Sequence, residues 1–143
     1  MEPNPYLTLS SILFIIPTTM SAYNRQWNLY ATFLFLTIVS SLYHATKYQP
    51  LLYLDYPGCY LVVLVTGYEN WKNGRTIFWM KSCSLCCILF WGGWIFNSLI
   101  FSKDNIEKNV SHVGMHVIFI VSGSLTSHLN RKQNGILNYI NMN

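Results

Sequence analysis

Trp27-Asn28-Leu29-Tyr30-Ala31-Thr32-Phe33-Leu34-Phe35-Leu36-Thr37-Ile38-Val39-Ser40-Ser41-Leu42-Tyr43-His44-Ala45-Thr46 is a run of twenty residues without Lys, Arg, Asp or Glu. As a helix, at about 1.5 Å per residue, it spans about 30 Å, the thickness of a bilayer's hydrocarbon. Lys47 and Pro50 end it. A second apolar run opens with Pro50, a residue suited to a first helical turn, and continues to about Tyr68 before the polar stretch Glu69-Asn70-Trp71-Lys72-Asn73-Gly74-Arg75. Towards the N-terminus, Asn24-Arg25-Gln26-Trp27 separates the central run from another, Tyr6 to Tyr23, with Pro17 as its expected kink. Beyond Arg75, Ile77 to Phe101 is long and interrupted by Lys81 and Gly92-Gly93, which predicts tilt or a break. Ser102 to Lys108 is polar, and Val110 to Ser127 is the fifth run. The tail from Asn130 is polar, with a faint apolar group at Ile136, Leu137 and Ile140.

The sequence therefore predicts an all-α, polytopic membrane helix bundle of about five transmembrane helices, forming one domain over residues 1–143. Composition agrees. Of 143 residues 52% are apolar and 10% charged, against about 25% charged in soluble domains, and so few charges cannot clothe a globular surface. Nine Lys and Arg are scattered singly, with no basic stripe to suggest nucleic acid. Met1 to Pro5 lacks the basic region of a cleavable signal, so the first run is expected to be retained. Counting basic residues by loop, Arg25, Lys72, Arg75, Lys81, Arg131 and Lys132 lie on one side, and Lys47, Lys103 and Lys108 on the other. That excess favours a non-cytoplasmic N-terminus and a cytoplasmic C-terminus. Trp27, Trp71, Trp79, Tyr23, Tyr48 and Tyr68 fall near the expected boundaries, as interfacial aromatics should. Cys59, Cys83, Cys86 and Cys87 sit inside apolar runs and read as small hydrophobes. The Cys83-x-x-Cys86-Cys87 cluster is half a metal knuckle without partners and is assigned no chemistry.

Ionisable residues inside a span are costly and mark function by default. His44, Asp55, His112 and His116 stand out. The two histidines of the last run are spaced i, i+4 on one helical face, as two ligands of one metal ion need. His44 ends the second run, Asp55 begins the third and His112 and His116 begin the fifth, so alternation of the helices brings all four to one side of the membrane. Ser40, one turn before His44, joins the same layer. Three imidazoles with one open position form the ligand set of a catalytic zinc, beside which Asp55 would orient or deprotonate water and Ser40 donate a hydrogen bond to the water or to a developing oxyanion. His128 is about 24 Å from His112 along the helix and is not expected to be a ligand. Asn97 reads as an interhelical hydrogen-bonder, and Gly92-Gly93 and Gly123 as points of close approach or kinking.

Ser40-x-x-x-His44, Asp55 and His112-x-x-x-His116, each at an end of a transmembrane helix, resemble the signature of the CREST superfamily, which includes alkaline ceramidases, progestin and adiponectin receptors, haemolysin-III-like proteins and proteins of GPI-anchor remodelling. Ser40-Ser41-Leu42-Tyr43-His44 and Leu54-Asp55-Tyr56 with Gly58 are similar to the receptor and haemolysin-III branch, and the eleven-residue step from His44 to Asp55 to the ceramidase branch. The resemblance covers about Leu29 to Gly67 and Val110 to Ser127. It implies metal-dependent lipid hydrolysis with His44, His112 and His116 as zinc ligands, Asp55 acting on the water and Ser40 as its hydrogen-bonding partner. The family has seven helices, and this chain has room for five. Loss of an adjacent pair keeps the sidedness of the last helix but removes walls of a lipid cavity.

Two functions are expected from these residues. The first is an intramembrane zinc hydrolase, ceramidase-like, acting on an amide or ester of a membrane lipid. The second is a non-catalytic membrane protein, receptor-like or an assembly factor, in which zinc staples short helices together. Five helices enclose little space, which a homo-oligomer would remedy. Proton or ion conduction is disfavoured, because the ionisable groups occupy one layer and nothing continues their path.

Overall fold

The computed structural model describes residues 3, 5–96 and 110–140. Six helices follow in order: α1 (Pro5–Ile12), α2 (Ile15–Tyr23), α3 (Trp27–Thr46), α4 (Gln49–Lys72), α5 (Thr76–Phe96) and α6 (Val110–Ile140). The fold is an all-α bundle with no strand among the described residues. Pro5–Tyr23 (α1 with α2), α3 and α4 are long and apolar enough to cross a membrane.

Polarity is distributed inside out. Leu9, Leu64, Ile77 and Ile88 are exposed, whereas Ser11, Ser21, Asn70, Thr126 and Ser127 are fully buried. In water that arrangement would forfeit the hydrophobic driving force; in lipid it is the expected one, because helices there associate through packing and interhelical hydrogen bonds. The apolar part of the core is Phe14, Leu29, Phe33, Leu36, Val62 and Ile120. Phe33 fits because position 123 has no side chain: a Cβ on Gly123 would meet the Phe33 ring at 2.3 Å. The close approach expected at Gly123 is thus that of the Phe33 ring of α3 to the backbone of α6.

The first span breaks at Leu13-Phe14, one turn ahead of the expected kink at Pro17. Proline has no N–H for the carbonyl four residues back and its ring crowds it. That carbonyl belongs to Leu13, which instead accepts from Ile16 N–H at 3.0 Å, while Phe14 N–H bonds Ser11 O at 3.1 Å, so two tight turns replace the α pattern. α3 has the expected bounds, and Lys47 closes it in the left-handed conformation (φ 55°), its N–H on Tyr43 O.

Four expectations need correction. α4 continues to Lys72, so most of the stretch 69–75 is helix and the turn is only Asn73 to Arg75, with Gly74 at φ 69°. The cause is Asn70, whose side chain donates to Thr66 O and to Thr126 Oγ1 (both 2.8 Å) and is buried by α6. α5 runs unbroken through Gly92-Gly93; two glycines lower helix propensity by about 1 kcal/mol each, less than the loss of satisfied backbone bonds in lipid. α6 does not stop near Ser127 but continues as helix to Ile140, no proline intervening. Trp79 is not interfacial: it is buried with its indole against Gly67, where a Cβ would lie 2.6 Å from Nε1. Trp27, Trp71, Tyr23, Tyr48 and Tyr68 are exposed, as anchors should be. Asn97, Lys103, Lys108 and the stretch 102–108 lie outside the described residues.

The end of the bundle holding Arg25 and Arg75 is tied by side-chain amides. Asn24 and Gln26 both donate to Ser127 O, at 3.2 and 2.9 Å. Asn130 accepts from Asn73 (3.0 Å) and from Arg75, and donates to Glu69 Oε2 at 3.2 Å. These bonds fix the rotation and height of α6 against α2 and α4, and so where its other end presents His112 and His116.

Candidate metal centre

His44 and Ser40 are one turn apart on α3 and both 1% exposed; Asp55, in the second turn of α4, is 5% exposed. α6 brings His116, also buried, and His112, half-buried. The imidazoles meet across the α3–α6 contact, with ring centroids 5.1 Å apart for His44 and His112, 5.7 Å for His44 and His116, and 4.7 Å for His112 and His116. One ring nitrogen from each lies within 4.8 Å of the other two, so the three histidines could hold a metal ion. Tetrahedral coordination at about 2.0–2.1 Å sets donors about 3.3 Å apart, a contraction of about 1.5 Å that side-chain rotation can supply. Neutral imidazoles without an ion would leave polar atoms stranded, and one is: His44 Nε2 is buried with no hydrogen-bond partner. The donor set therefore fits a metal ion. His128 is exposed and outside the group, as expected.

One ring nitrogen each of His116 and His44 is engaged elsewhere. His116 Nδ1 is 2.8 Å from Ser10 Oγ, and its ring leans on Phe14 with centroids 5.1 Å apart. His44 Nδ1 is 3.2 Å from Lys47 Nζ, which also sits over the Tyr43 ring at 4.9 Å. Burial pushes the Lys47 ammonium below its ordinary range, and the neighbouring Asp55 carboxylate works against that shift. An ammonium only donates, so this contact places the His44 proton on Nε2. Ligation through either nitrogen of His44 then requires Lys47 to let go, which makes Lys47 a competitor of the metal.

Asp55 keeps Oδ1 buried without a hydrogen-bond partner. Its carboxylate is outside the three-histidine group. Ser40 Oγ lies 3.1 Å from Ser11 Oγ. The three histidines singled out from sequence thus converge, and Ser40, one turn before His44 on α3, lies against Ser11 of α1.

Ser10, Ser11 and Lys47 were not singled out from sequence as site residues. Serines in an apolar helix commonly bond their own backbone, so Ser10 and Ser11 carry little signal. The adjacent pair Ser10-Ser11 in an otherwise apolar stretch was the available hint. Cys86 is buried, Cys83 and Cys59 half-buried and Cys87 exposed, all as free thiols outside the three-histidine group.

No family model matches the chain, and no curated protein and no solved structure matches it significantly.

Proposed function

We propose that this chain is an intramembrane hydrolase of the amide or ester bonds of membrane lipids, using zinc held by His44, His112 and His116. The observation that carries the reading is the convergence of three imidazole donors within 4.8 Å of one another. Among the described residues the group holds three protein ligands, which supports an open position, the mark of a catalytic over a structural site. On this reading the chain is a shortened, five-span relative of the CREST superfamily, with α5 and α6 as the fourth and fifth spans. The basic residues put the N-terminus on the non-cytoplasmic side and the centre just below that surface.

Bound zinc would supply Lewis-acid polarisation of the scissile carbonyl and acidification of a water molecule. Asp55 would accept a proton from the attacking water and return it to the leaving amine or alcohol. Ser40, one turn before His44, would donate a hydrogen bond to the water or to a developing oxyanion. Burial of the layer excludes bulk water and strengthens each of these interactions.

The test uses purified protein in detergent with a short-chain ceramide. Asp55→Asn and Ser40→Ala keep zinc nearly stoichiometric and lower hydrolysis by about 10²-fold or more, the usual scale for losing a general base or an oxyanion donor. A zinc staple predicts metal, stability and no hydrolysis in any form. An active protein indifferent to Asp55→Asn refutes the mechanism.

A further inference from the structure

α1 is a short helix of eight residues, and its only buried side chains are Leu7, Ser10 and Ser11. Both serines turn back to one carbonyl: Ser10 Oγ donates to Leu7 O at 3.0 Å and Ser11 Oγ to the same oxygen at 2.8 Å. Such back-bonding is ordinary for a serine in an apolar helix. The second contact of Ser10 is not. Its oxygen is 2.8 Å from Nδ1 of His116, a residue more than a hundred positions away on α6.

A serine hydroxyl has one hydrogen. With that hydrogen on Leu7 O, Ser10 can only accept from His116, so the imidazole proton sits on Nδ1. A neutral imidazole has one donor and one acceptor nitrogen, and Nε2 is then left with its lone pair. Metal-binding histidines depend on such a partner for the second nitrogen, which fixes tautomer and ring orientation. The Phe14 ring, against His116 at 5.1 Å, limits rotation from the other side of the break in the first span. His44 shows the contrast, because its Nδ1 faces a pure donor, Lys47, and its Nε2 is the stranded atom.

We infer that Ser10 is a positioning residue: it accepts the Nδ1 proton of His116 and thereby presents Nε2 of that histidine as a metal ligand. The inference rests on the metal reading above for its consequence, but the tautomer itself exists without metal. The first helix, which contributes no ligand, is on this account part of the centre.

Two substitutions of equal shape isolate the hydroxyl. Ser10→Thr keeps it and Ser10→Val removes it at nearly the same volume. In ¹⁵N-histidine spectra of the metal-free protein, His116 is the Nδ1–H tautomer in the wild type and in Ser10→Thr, and shifts away from it in Ser10→Val. By competition with a chelator of known affinity, zinc binding weakens by about 10- to 100-fold in Ser10→Val and stays within about 3-fold in Ser10→Thr, the range for loss of an outer hydrogen-bonding partner. A wild-type His116 protonated on Nε2, or Thr and Val substitutions that behave alike in both measurements, overturns the assignment. A wild type that takes up no zinc refutes the metal reading, and the His116 tautomer still decides the role of Ser10.

Discussion

Gly123→Ala probes the contact on which the metal centre depends. The added Cβ would stand 2.3 Å from Cζ and 2.8 Å from Cε2 of Phe33. Carbon atoms in contact settle at about 3.5–4.0 Å, so the ring or the two helices must separate by roughly 1.2–1.7 Å. Phe33 has no room to yield, being fully buried among Phe14, Leu29, Leu36, Val62 and Ile120. Overpacking of this kind costs about 1–3 kcal/mol. The damage should also reach the histidines. Position 123 is two turns from His116 on the same face of α6, roughly 10 Å along the axis, and Phe33 shares α3 with His44. Metal–ligand distances tolerate about 0.2 Å, so parting α3 from α6 lowers zinc affinity by about tenfold or more. Thermal unfolding followed by tryptophan fluorescence in detergent reads the first effect, and chelator competition the second. Phe33→Leu in the same chain removes the ring edge and should restore part of both, giving a coupling of about 1–2 kcal/mol in a double-mutant cycle. A Gly123→Ala protein with unchanged melting temperature and zinc affinity would show that α3 and α6 do not meet as described.

Replacing His44, His112 or His116 by Ala should abolish most zinc binding, and chelators should lower the melting temperature of the wild type but not of these variants; elemental analysis and thermal scans check both. Lys47→Met removes the donor that holds His44 Nδ1 and should tighten zinc by about tenfold, since ligation no longer displaces a hydrogen bond; weaker binding would contradict the competition. Acidification should release the metal, because protons and zinc compete for the same imidazole nitrogens, and zinc retention unchanged down to strongly acidic pH would exclude an all-histidine site. Asn130→Ala strands partners on α4 and in the turn beyond it, and should destabilise the fold by about 1–3 kcal/mol, which an unaltered unfolding transition would refute.

How much of this was legible beforehand depends on the physics each residue uses. α3 could be bounded from composition because length and missing charge are what a bilayer demands of a span. The convergence of His44, His112 and His116 could be read because alternating helices fix which ends share a surface, and because ionisable groups in apolar runs are too costly to be incidental. Ser10 escaped notice because a serine bonding its own helix and a serine holding a distant imidazole look the same in sequence. Asn70 was misplaced into a loop because polarity alone marks both turns and buried interhelical donors, and only the presence of Thr126 opposite distinguishes them. Trp79 was assigned to an interface because nothing local records that Gly67 leaves a slot for its indole. The break at Leu13-Phe14 follows from Pro17 once the carbonyl four residues back is considered, rather than the proline itself.

The division of the histidines between α3 and α6 has a consequence for biosynthesis. His44 leaves the ribosome well before His112 and His116, with α4 and α5 made in between. On the proposed zinc reading, a nascent chain halted after α5 offers a single imidazole, too few to retain the ion, and capture would wait until α6 has been made. Capture also needs α6 in the rotation set by its amide bonds near Ser127 and Asn130, at the opposite end of the bundle from the histidines. Metal loading would then report that the chain has been threaded and seated correctly, and a mis-inserted copy would remain an apoprotein, recognisable to cellular quality control by the imidazoles it leaves unmatched.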